Sequence, residues 1–215
     1  MIVLAPSSIQ EMAELTVKGF DLADKYRMTT MLLADGTMGQ MMEPVSLDFA
    51  IGEKVEKPWA VTGTEGKREH NIVNSLYLKP EELEKTNFER YERYEIVKEN
   101  EVMYEEYMMD DAEICVAAFG IAARVSKNAV DEARKQGIKV GMIRPTALWP
   151  FPNRAFEKTI GKVKTYISVE LSMGQMIDDV KLATKCSGEY MLCNRVGGMI
   201  PSPEEVLAAI EKANG

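Results

Sequence analysis

Residues 112–145 read AEICVAAFGIAARVSKNAVDEARKQGIKVGMIRP, and the spacing of their apolar residues changes twice. Ile114–Phe119 form a continuous apolar run, as expected for a strand that is buried on both faces. Gly120 then opens a helix whose small and apolar residues recur at helical spacing up to Gly137, and Lys139–Ile143 form the next strand. A strand, a helix and a second strand in this order predict parallel strands joined by a crossover helix.

The same alternation continues to the end of the chain. Further strands are predicted at Thr165–Val169 and Tyr190–Cys193, with helices over Gly174–Ala183 and after Ser202. Ser202 starts a capping box, since a glutamate follows three residues later and proline occupies the first helical position. Leu148–Pro152 are predicted to form a rigid apolar turn. Alternating strands and helices predict a doubly wound, mostly parallel sheet.

A second α/β pattern opens the chain. It consists of the apolar run Ile2–Ala5, a capping box at Ser8 and Glu11, a helix, and the strand-like run Met28–Ala34. This β-α-β unit of about 35 residues is a fragment of a sheet and not a domain. Its strands must therefore join other strands, either elsewhere in this chain or in another chain.

The segment between the two patterns is predicted to be irregular and then helical. Residues 36–75 are punctuated by two prolines and by several glycines, namely Gly36, Gly39, Gly52, Gly63 and Gly66. Three methionines cluster there, at positions 38, 41 and 42, and we expect them to serve packing. From Pro80 to Asp111 the sequence predicts one or two amphipathic helices with a solvated, charged face. The predicted divisions are 1–50, the end of one domain; 51–111, a linker; and 112–215, a complete domain.

Composition limits the class of protein. The chain has 215 residues, 46% of them apolar and 28% charged, so it can bury a core. The formal net charge of −8 argues against a nucleic-acid partner, because neutralising phosphates needs a basic face. No apolar run reaches the length of about 18 residues that a membrane span needs, and no signal-peptide pattern opens the chain. We therefore expect a cytoplasmic protein without a membrane partner.

The cysteines and the single histidine limit the possible metal chemistry. The chain has three cysteines, Cys115, Cys186 and Cys193. Their odd number and wide spacing fit a reducing compartment and not a disulfide framework. An iron–sulfur cluster usually needs four cysteine thiolates, so this chain is not expected to hold one. His70 lies in a polar stretch and is expected to be exposed. No metal site is predicted.

Three residues at predicted strand ends are candidate cofactor-binding residues. Asp35 and Glu170 each end a strand, and Gly36 follows the first of them. Open α/β sheets bind ligands at the carboxyl ends of their strands. The competing role for both acids is to cap the following helix. Gly120 could present backbone N–H groups to a phosphate, but the spacing of a dinucleotide fingerprint is missing around it. Gly197-Gly198 likewise lacks the residues of a P-loop.

Six motifs, in this order, carry a resemblance to a known family. They are IVLAPSSxxEM at 2–12, LADGxxGQMMEP at 33–44, GIKVGxIRP at 137–145, LWPFP at 148–152, ELSMGQM at 170–176 and GGxxPxPEE at 197–205. Together they resemble the 2-oxoacid:ferredoxin oxidoreductase alpha subunit, and most of all its 2-oxoisovalerate, or branched-chain, type. The resemblance runs nearly end to end and is far more specific than any single motif.

The resemblance implies a thiamine diphosphate enzyme that removes CO2 from a 2-oxoacid, forms an acyl-CoA and passes electrons to ferredoxin through iron–sulfur clusters. It implies a partial pyrimidine-binding β-α-β unit, a helical linker and a transketolase C-terminal-like doubly wound parallel sheet. A beta subunit would hold the diphosphate and Mg2+, and other subunits would hold the clusters. In the family, a segment before the position of Ile2 contains the catalytic glutamate. No residue here matches it, so we assign no catalytic residue and expect the isolated chain to be inactive.

Two other functions remain open at this point. The chain could be a non-catalytic assembly module that binds a beta subunit or another copy of itself, since the edges of the first unit need a partner. It could also be a stand-alone α/β protein that binds a small molecule. The missing phosphate fingerprint disfavours the latter.

Overall fold

The computed structural model describes residues 1–49 and 55–215, which form two sheets and six helices. The strands are β1 (Ile2–Leu4), β2 (Thr30–Leu32), β3 (Tyr104–Tyr107), β4 (Ile114–Ala118), β5 (Val140–Pro145), β6 (Ala147–Trp149), β7 (Thr165–Glu170) and β8 (Glu189–Asn194). The helices are α1 (Ile9–Tyr26), α2 (Pro80–Asn100), α3 (Gly120–Lys135), α4 (Asn153–Glu157), α5 (Met176–Ala183) and α6 (Pro203–Asn214). The predicted domain boundary after residue 50 lies outside the described residues, and so does Gly52. The division into domains stays a prediction.

The larger sheet has the strand order β3-β5-β4-β7-β8. Strands β5, β4, β7 and β8 run parallel to one another, as predicted. Alternate residues of the central strand β4 face opposite sides, so Val116 packs against α3 and α6 while Cys115 packs with Phe156 and the α5 side. Every residue of β4 is buried, which explains its unbroken apolar sequence. Helices on both faces make this sheet doubly wound.

The sequence prediction of helices up to Asp111 is wrong at its end. Helix α2 ends at Asn100, and β3 follows and pairs antiparallel with β5 at the edge of the larger sheet. The polar sequence Tyr-Glu-Glu-Tyr hides this strand, and two of its residues, Glu105 and Tyr107, find polar partners in the fold. Glu105 accepts a hydrogen bond from Arg144 at 2.9 Å, and Tyr107 donates one to Asp131 at 2.6 Å.

The smaller sheet joins the first β-α-β unit to a strand from much later in the chain. Its order is β2-β1-β6, with β1 parallel to β2 and antiparallel to β6. The prediction of a rigid apolar turn at Leu148–Pro152 is therefore wrong for the first two residues, because Ala147–Trp149 form β6. The expectation that the first unit joins other strands is confirmed, and this partner lies in the same chain. Ile2, Leu4, Val97 and Ala147 are buried together in its core.

The two predicted capping boxes differ in the structure. At α6, Ser202 accepts from the Glu205 N–H and Glu205 accepts from the Ser202 N–H, so both bonds of the box form. At α1, Ser8 caps the helix as predicted by accepting from the Glu11 N–H at 3.1 Å. Glu11, however, accepts from the N–H of Ser7 and not from that of Ser8. Its carboxylate is turned toward Arg144, 133 residues away in the chain.

The described part of 36–75 is irregular apart from one 3-10 turn at Met38–Gln40. The expectation that the methionine cluster packs is only half right: Met38 is buried, whereas Met42 is 98% exposed. His70 is exposed, as predicted. No helix within 1–49 and 55–215 combines the length and the apolar character that crossing a bilayer requires.

Replacing Gly141 by alanine should destabilise the larger sheet. An added Cβ would lie 2.5 Å from the Met108 carbonyl oxygen and 2.6 Å from the Met109 sulfur. The backbone of the adjacent segment at Met108 must therefore move. We expect the free energy of unfolding to fall by about 1–3 kcal/mol, as for overpacked cores, in urea denaturation. Gly39→Ala is the matched control, because nothing lies within 4 Å of its added Cβ. Equal stability of the two variants would contradict this packing argument.

Candidate functional site

A cleft of about 370 Å3 lies where the carboxyl ends of β2, β4 and β7 meet, and we call it the strand-end cleft. Its walls are mostly apolar, and its lining residues are Leu33, Ala34, Asp35, Phe119, Gly120, Ala122, Leu148, Phe151, Val169, Glu170, Leu171, Ser172, Gln175, Met176 and Asp179. A second hollow shares Asp35 and Leu171 with it and contains Gly36 and Gly198. The structure thus brings the three candidate residues to one region.

Glu170 is committed to the backbone around it. Its carboxylate is 2% exposed and accepts five hydrogen bonds, which come from Ser168 Oγ, Ser172 Oγ and the backbone N–H groups of Gln175, Met176 and Ile177. Three of these donors belong to the N-terminus of α5, so Glu170 caps that helix. The helix begins at Met176, two residues later than predicted, because residues 171–175 wrap around this carboxylate.

These contacts also determine the charge of Glu170. Burial alone raises the pKa of a carboxyl group, because it disfavours the charged form. Hydrogen bonds from the Gln175 N–H, from Ser172 and Ser168, and from the Ile177 N–H outweigh burial and hold the pKa of Glu170 below its usual value. The residue is therefore a buried anion with its acceptor positions occupied, and it is poorly suited to act as a general base.

Asp35 ties the first unit to the larger sheet. Its Oδ1 accepts from the Met38 N–H at 2.9 Å, and its Oδ2 accepts from the Ile121 N–H at 3.0 Å. Helix α3 has no capping side chain of its own, so Asp35 supplies the cap from 86 residues away. Gly120 has φ +62, and a Cβ there would be 3.0 Å from Asp35 Oδ2. The anion position at this helix N-terminus is thus filled by Asp35 and not left for a phosphate.

Two more carboxylates of the first unit bind the larger sheet and its helices. Glu11 accepts two hydrogen bonds from the guanidinium of Arg144, at 3.0 and 2.7 Å, and Arg144 also donates to Glu105. Glu43 pairs with Arg124 at 2.8 Å and accepts from the Ile9 N–H. Burial raises the pKa of Glu11, but hydrogen bonds and the charge of Arg144 outweigh it and lower the pKa. These residues hold the two sheets together.

Asp179 is the one acid of the strand-end cleft that is left without a polar partner among the described residues. Partial burial, together with the charges of Asp178 and Glu170, raises the pKa of this carboxyl. Sequence reasoning missed Asp179, because it lies within a helix and no local pattern marks it. The only feature that could have pointed to Asp179 is its place in α5, one turn after the capped N-terminus of that helix.

The residues of the cleft do not fit a diphosphate or an iron–sulfur cluster. Among the described residues, its ionisable groups are the carboxylates of Asp35, Glu170 and Asp179, and no lysine or arginine lines it. Anionic phosphates would meet like charges there. No group of three or more histidine, cysteine or acidic side chains is placed to hold a metal within 1–49 and 55–215. The described part of the cleft therefore offers neither group a binding site.

The cysteines should differ sharply in reactivity. Burial raises the pKa of the Cys115 thiol to about 12, Cys193 is half-buried and Cys186 is exposed. Because the thiolate is the reactive form, we expect Cys186 to react with a disulfide reagent in the folded protein and Cys115 to react only after unfolding. Absorbance of the released thiolate measures this. In the double variant Cys186→Ser/Cys193→Ser, a rapid reaction of the remaining Cys115 would contradict the assigned burial.

Comparisons with known proteins match this architecture. Residues 112–206 match the family model described as pyruvate:ferredoxin oxidoreductase core domain II. The ketoisovalerate oxidoreductase subunit VorB of Methanothermobacter marburgensis is 46% identical over 215 residues, covering 100% of this chain and 60% of that protein. The 2-oxoglutarate synthase subunit KorA of Methanocaldococcus jannaschii is 30% identical, covering 98% and 63%. The chain thus spans about 60% of the length of these curated relatives.

A solved structure confirms the fold. The 2-oxoglutarate:ferredoxin oxidoreductase of Magnetococcus marinus, determined with 2-oxoglutarate, coenzyme A and succinyl-CoA bound, superposes with a TM-score of 0.78. The match covers 100% of this chain and 42% of that one at 19% identity, so it shows the fold alone. The predicted α/β class with a doubly wound, mostly parallel sheet is confirmed.

Proposed function

We propose that this chain is part of the alpha subunit of a 2-oxoacid:ferredoxin oxidoreductase, with 2-oxoisovalerate as its substrate. The observation that carries the proposal is the similarity of the whole chain to a ketoisovalerate oxidoreductase subunit at 46% identity. The proposed reaction is the oxidative decarboxylation of the 2-oxoacid to an acyl-CoA, with the electrons passed to ferredoxin. A cytoplasmic location fits the three unpaired cysteines.

Within such a complex, this chain would build the framework and not hold the cofactors. The acids at its strand ends, Asp35 and Glu170, are occupied as helix caps, and the strand-end cleft contains no cation among the described residues. Thiamine diphosphate with Mg2+ would supply the carbanion chemistry from the beta subunit's side, and cluster-carrying subunits would conduct the electrons. The candidates Asp35 and Glu170 are best explained as helix caps, and Gly36 only lines the hollow beside them.

The test is 2-oxoacid-dependent reduction of a viologen dye. We expect no activity for the pure chain and substrate-dependent reduction for the complex reconstituted with its companion subunits, coenzyme A and thiamine diphosphate. Comparing 2-oxoisovalerate with 2-oxoglutarate separates the substrate class from the complex itself. Dye reduction by the chain alone would overturn the framework role. A reconstituted complex that prefers 2-oxoglutarate would overturn the substrate.

A non-catalytic assembly module is the second candidate, and the exposed apolar side chains of α2 favour it. A stand-alone small-molecule protein is less favoured, because Asp35 and Glu170, two of the three carboxylates that line the cleft, are already engaged. A thermal-shift experiment with thiamine diphosphate, coenzyme A and nucleotides separates these functions, since a ligand of the folded state raises the melting temperature. We expect no shift with any of them for the chain alone.

A further inference from the structure

The first three turns of α2 have little contact with the rest of the chain. Thr86 is partly covered, and every other residue from 80 to 92 is exposed, whereas Val97 near the end of the helix is fully buried. Leu83, Phe88 and Tyr91 are 41%, 65% and 63% exposed. With Pro80, Glu84 and Asn87 they line an apolar hollow of about 510 Å3. The helix is thus anchored at its C-terminal end and projects its N-terminal half.

The chain just before α2 adds to this exposed apolar surface. Leu76 is 71% exposed and Leu78 is 84% exposed, in a segment without regular structure. Single exposed apolar residues are ordinary, but soluble proteins seldom show so many of them in one short stretch unless a partner covers them. We call Leu76, Leu78, Leu83, Phe88 and Tyr91 the α2 surface.

Glutamates border the α2 surface along one flank of the helix. Steps of three and four residues place Glu81, Glu84, Glu92, Glu95 and Glu99 beside Phe88 on that flank. Among the described residues, Glu81, Glu84 and Glu92 form no ion pair, whereas Lys79, Lys85 and Lys98 are each paired with another glutamate of α2. That one flank of the helix is therefore negatively charged.

We propose that the α2 surface docks into an apolar groove, edged by lysine and arginine, on a companion subunit of the oxidoreductase. This inference rests on the proposed function. A helix laid into an apolar groove is a common recognition mode, and a basic rim would complement the unpaired glutamates on one flank of α2. A second copy of this chain fits poorly. In a two-fold antiparallel pair of helices each flank meets the same flank, so glutamates would oppose glutamates.

The test measures binding between the full chain and its purified companion subunits. Phe88→Asp puts a charge at the centre of the surface, and we expect the dissociation constant to rise about 30-fold or more. The double variant Glu84→Lys/Glu92→Lys should slow association about tenfold at low salt, with the difference shrinking as salt is added. Leu182→Asp on α5 and Glu211→Lys on α6 are matched controls on other exposed faces, and each should bind within about twofold of the wild type.

Each outcome decides the question. Companion subunits that bind wild type and the α2 variants equally would overturn the docking surface and leave the proposed function intact. Failure of wild type to bind any companion subunit would overturn both. If sedimentation shows the pure chain as a dimer that Phe88→Asp converts to a monomer, the occupant is a second copy and the proposal is wrong. Because Phe88 is largely exposed, circular dichroism should show the variant folded.

Discussion

Glu170→Leu should lower the free energy of unfolding by about 3–5 kcal/mol, or prevent folding altogether. The substitution leaves five donors without an acceptor, three of them backbone N–H groups at the start of α5. Each buried, unsatisfied donor costs about 1–3 kcal/mol, although relaxation and water entry reduce the total. Urea denaturation followed by circular dichroism measures the loss. A Glu170→Leu variant within about 1 kcal/mol of wild type would contradict the assigned role.

Glu170→Gln is the matched control, because it keeps the shape and one acceptor oxygen. We expect it to lose about half as much stability as Glu170→Leu. The same variant also tests how much the negative charge of Glu170 contributes to stability, since the pKa of Glu170 is lower in the folded state than the ordinary value of 4.5. The stabilisation by the ionised form is therefore complete above about pH 4.5 and is lost as the pH falls through the lowered folded pKa. Stability of Glu170→Gln should decline less steeply in that acid range than that of wild type.

Sequence patterns predicted the larger sheet well, because the residues that specify each of its strands are close together in the sequence. The apolar runs of β4, β5 and β7 reflect burial on both faces of a parallel sheet, and Gly120 marks the turn into α3. The capping role of Glu170 was likewise foreseeable as a competing role, since its donors lie within seven residues. A strand end followed by a helix supplies most of that geometry.

What the sequence could not predict depends on contacts between distant residues. The edge strand β3 can carry Glu105 because Arg144 and Lys127 from other elements pair with it. The strand β6 is only three residues long, and its partner β1 lies at the other end of the chain. Asp35 was singled out for its position at a strand end, yet its bond to Ile121 spans 86 residues and has no sequence signature.

Arg144→Met should cost about 3–5 kcal/mol and loosen the first unit from the larger sheet. The Arg144 side chain is 8% exposed and forms two hydrogen bonds to Glu11 and one to Glu105. Removing it leaves the half-buried Glu11 carboxylate without its cation, which is the costly way to break a buried pair. Arg124→Met is the matched control. The Arg124 side chain is 38% exposed, against 8% for Arg144, so we expect a much smaller loss than for Arg144→Met.

Hydrogen exchange distinguishes loss of the Glu11–Arg144 contact between the two sheets from general destabilisation. If Arg144 holds the two sheets together, Arg144→Met should speed exchange in β1 and α1 more than in β4, which lies at the centre of the other sheet. The double variant Glu11→Gln/Arg144→Met should recover part of the lost stability, because no uncompensated charge then remains. Equal acceleration in β1 and β4 would instead show one cooperative unit, in which the Glu11–Arg144 pair contributes stability without governing how the first unit is attached.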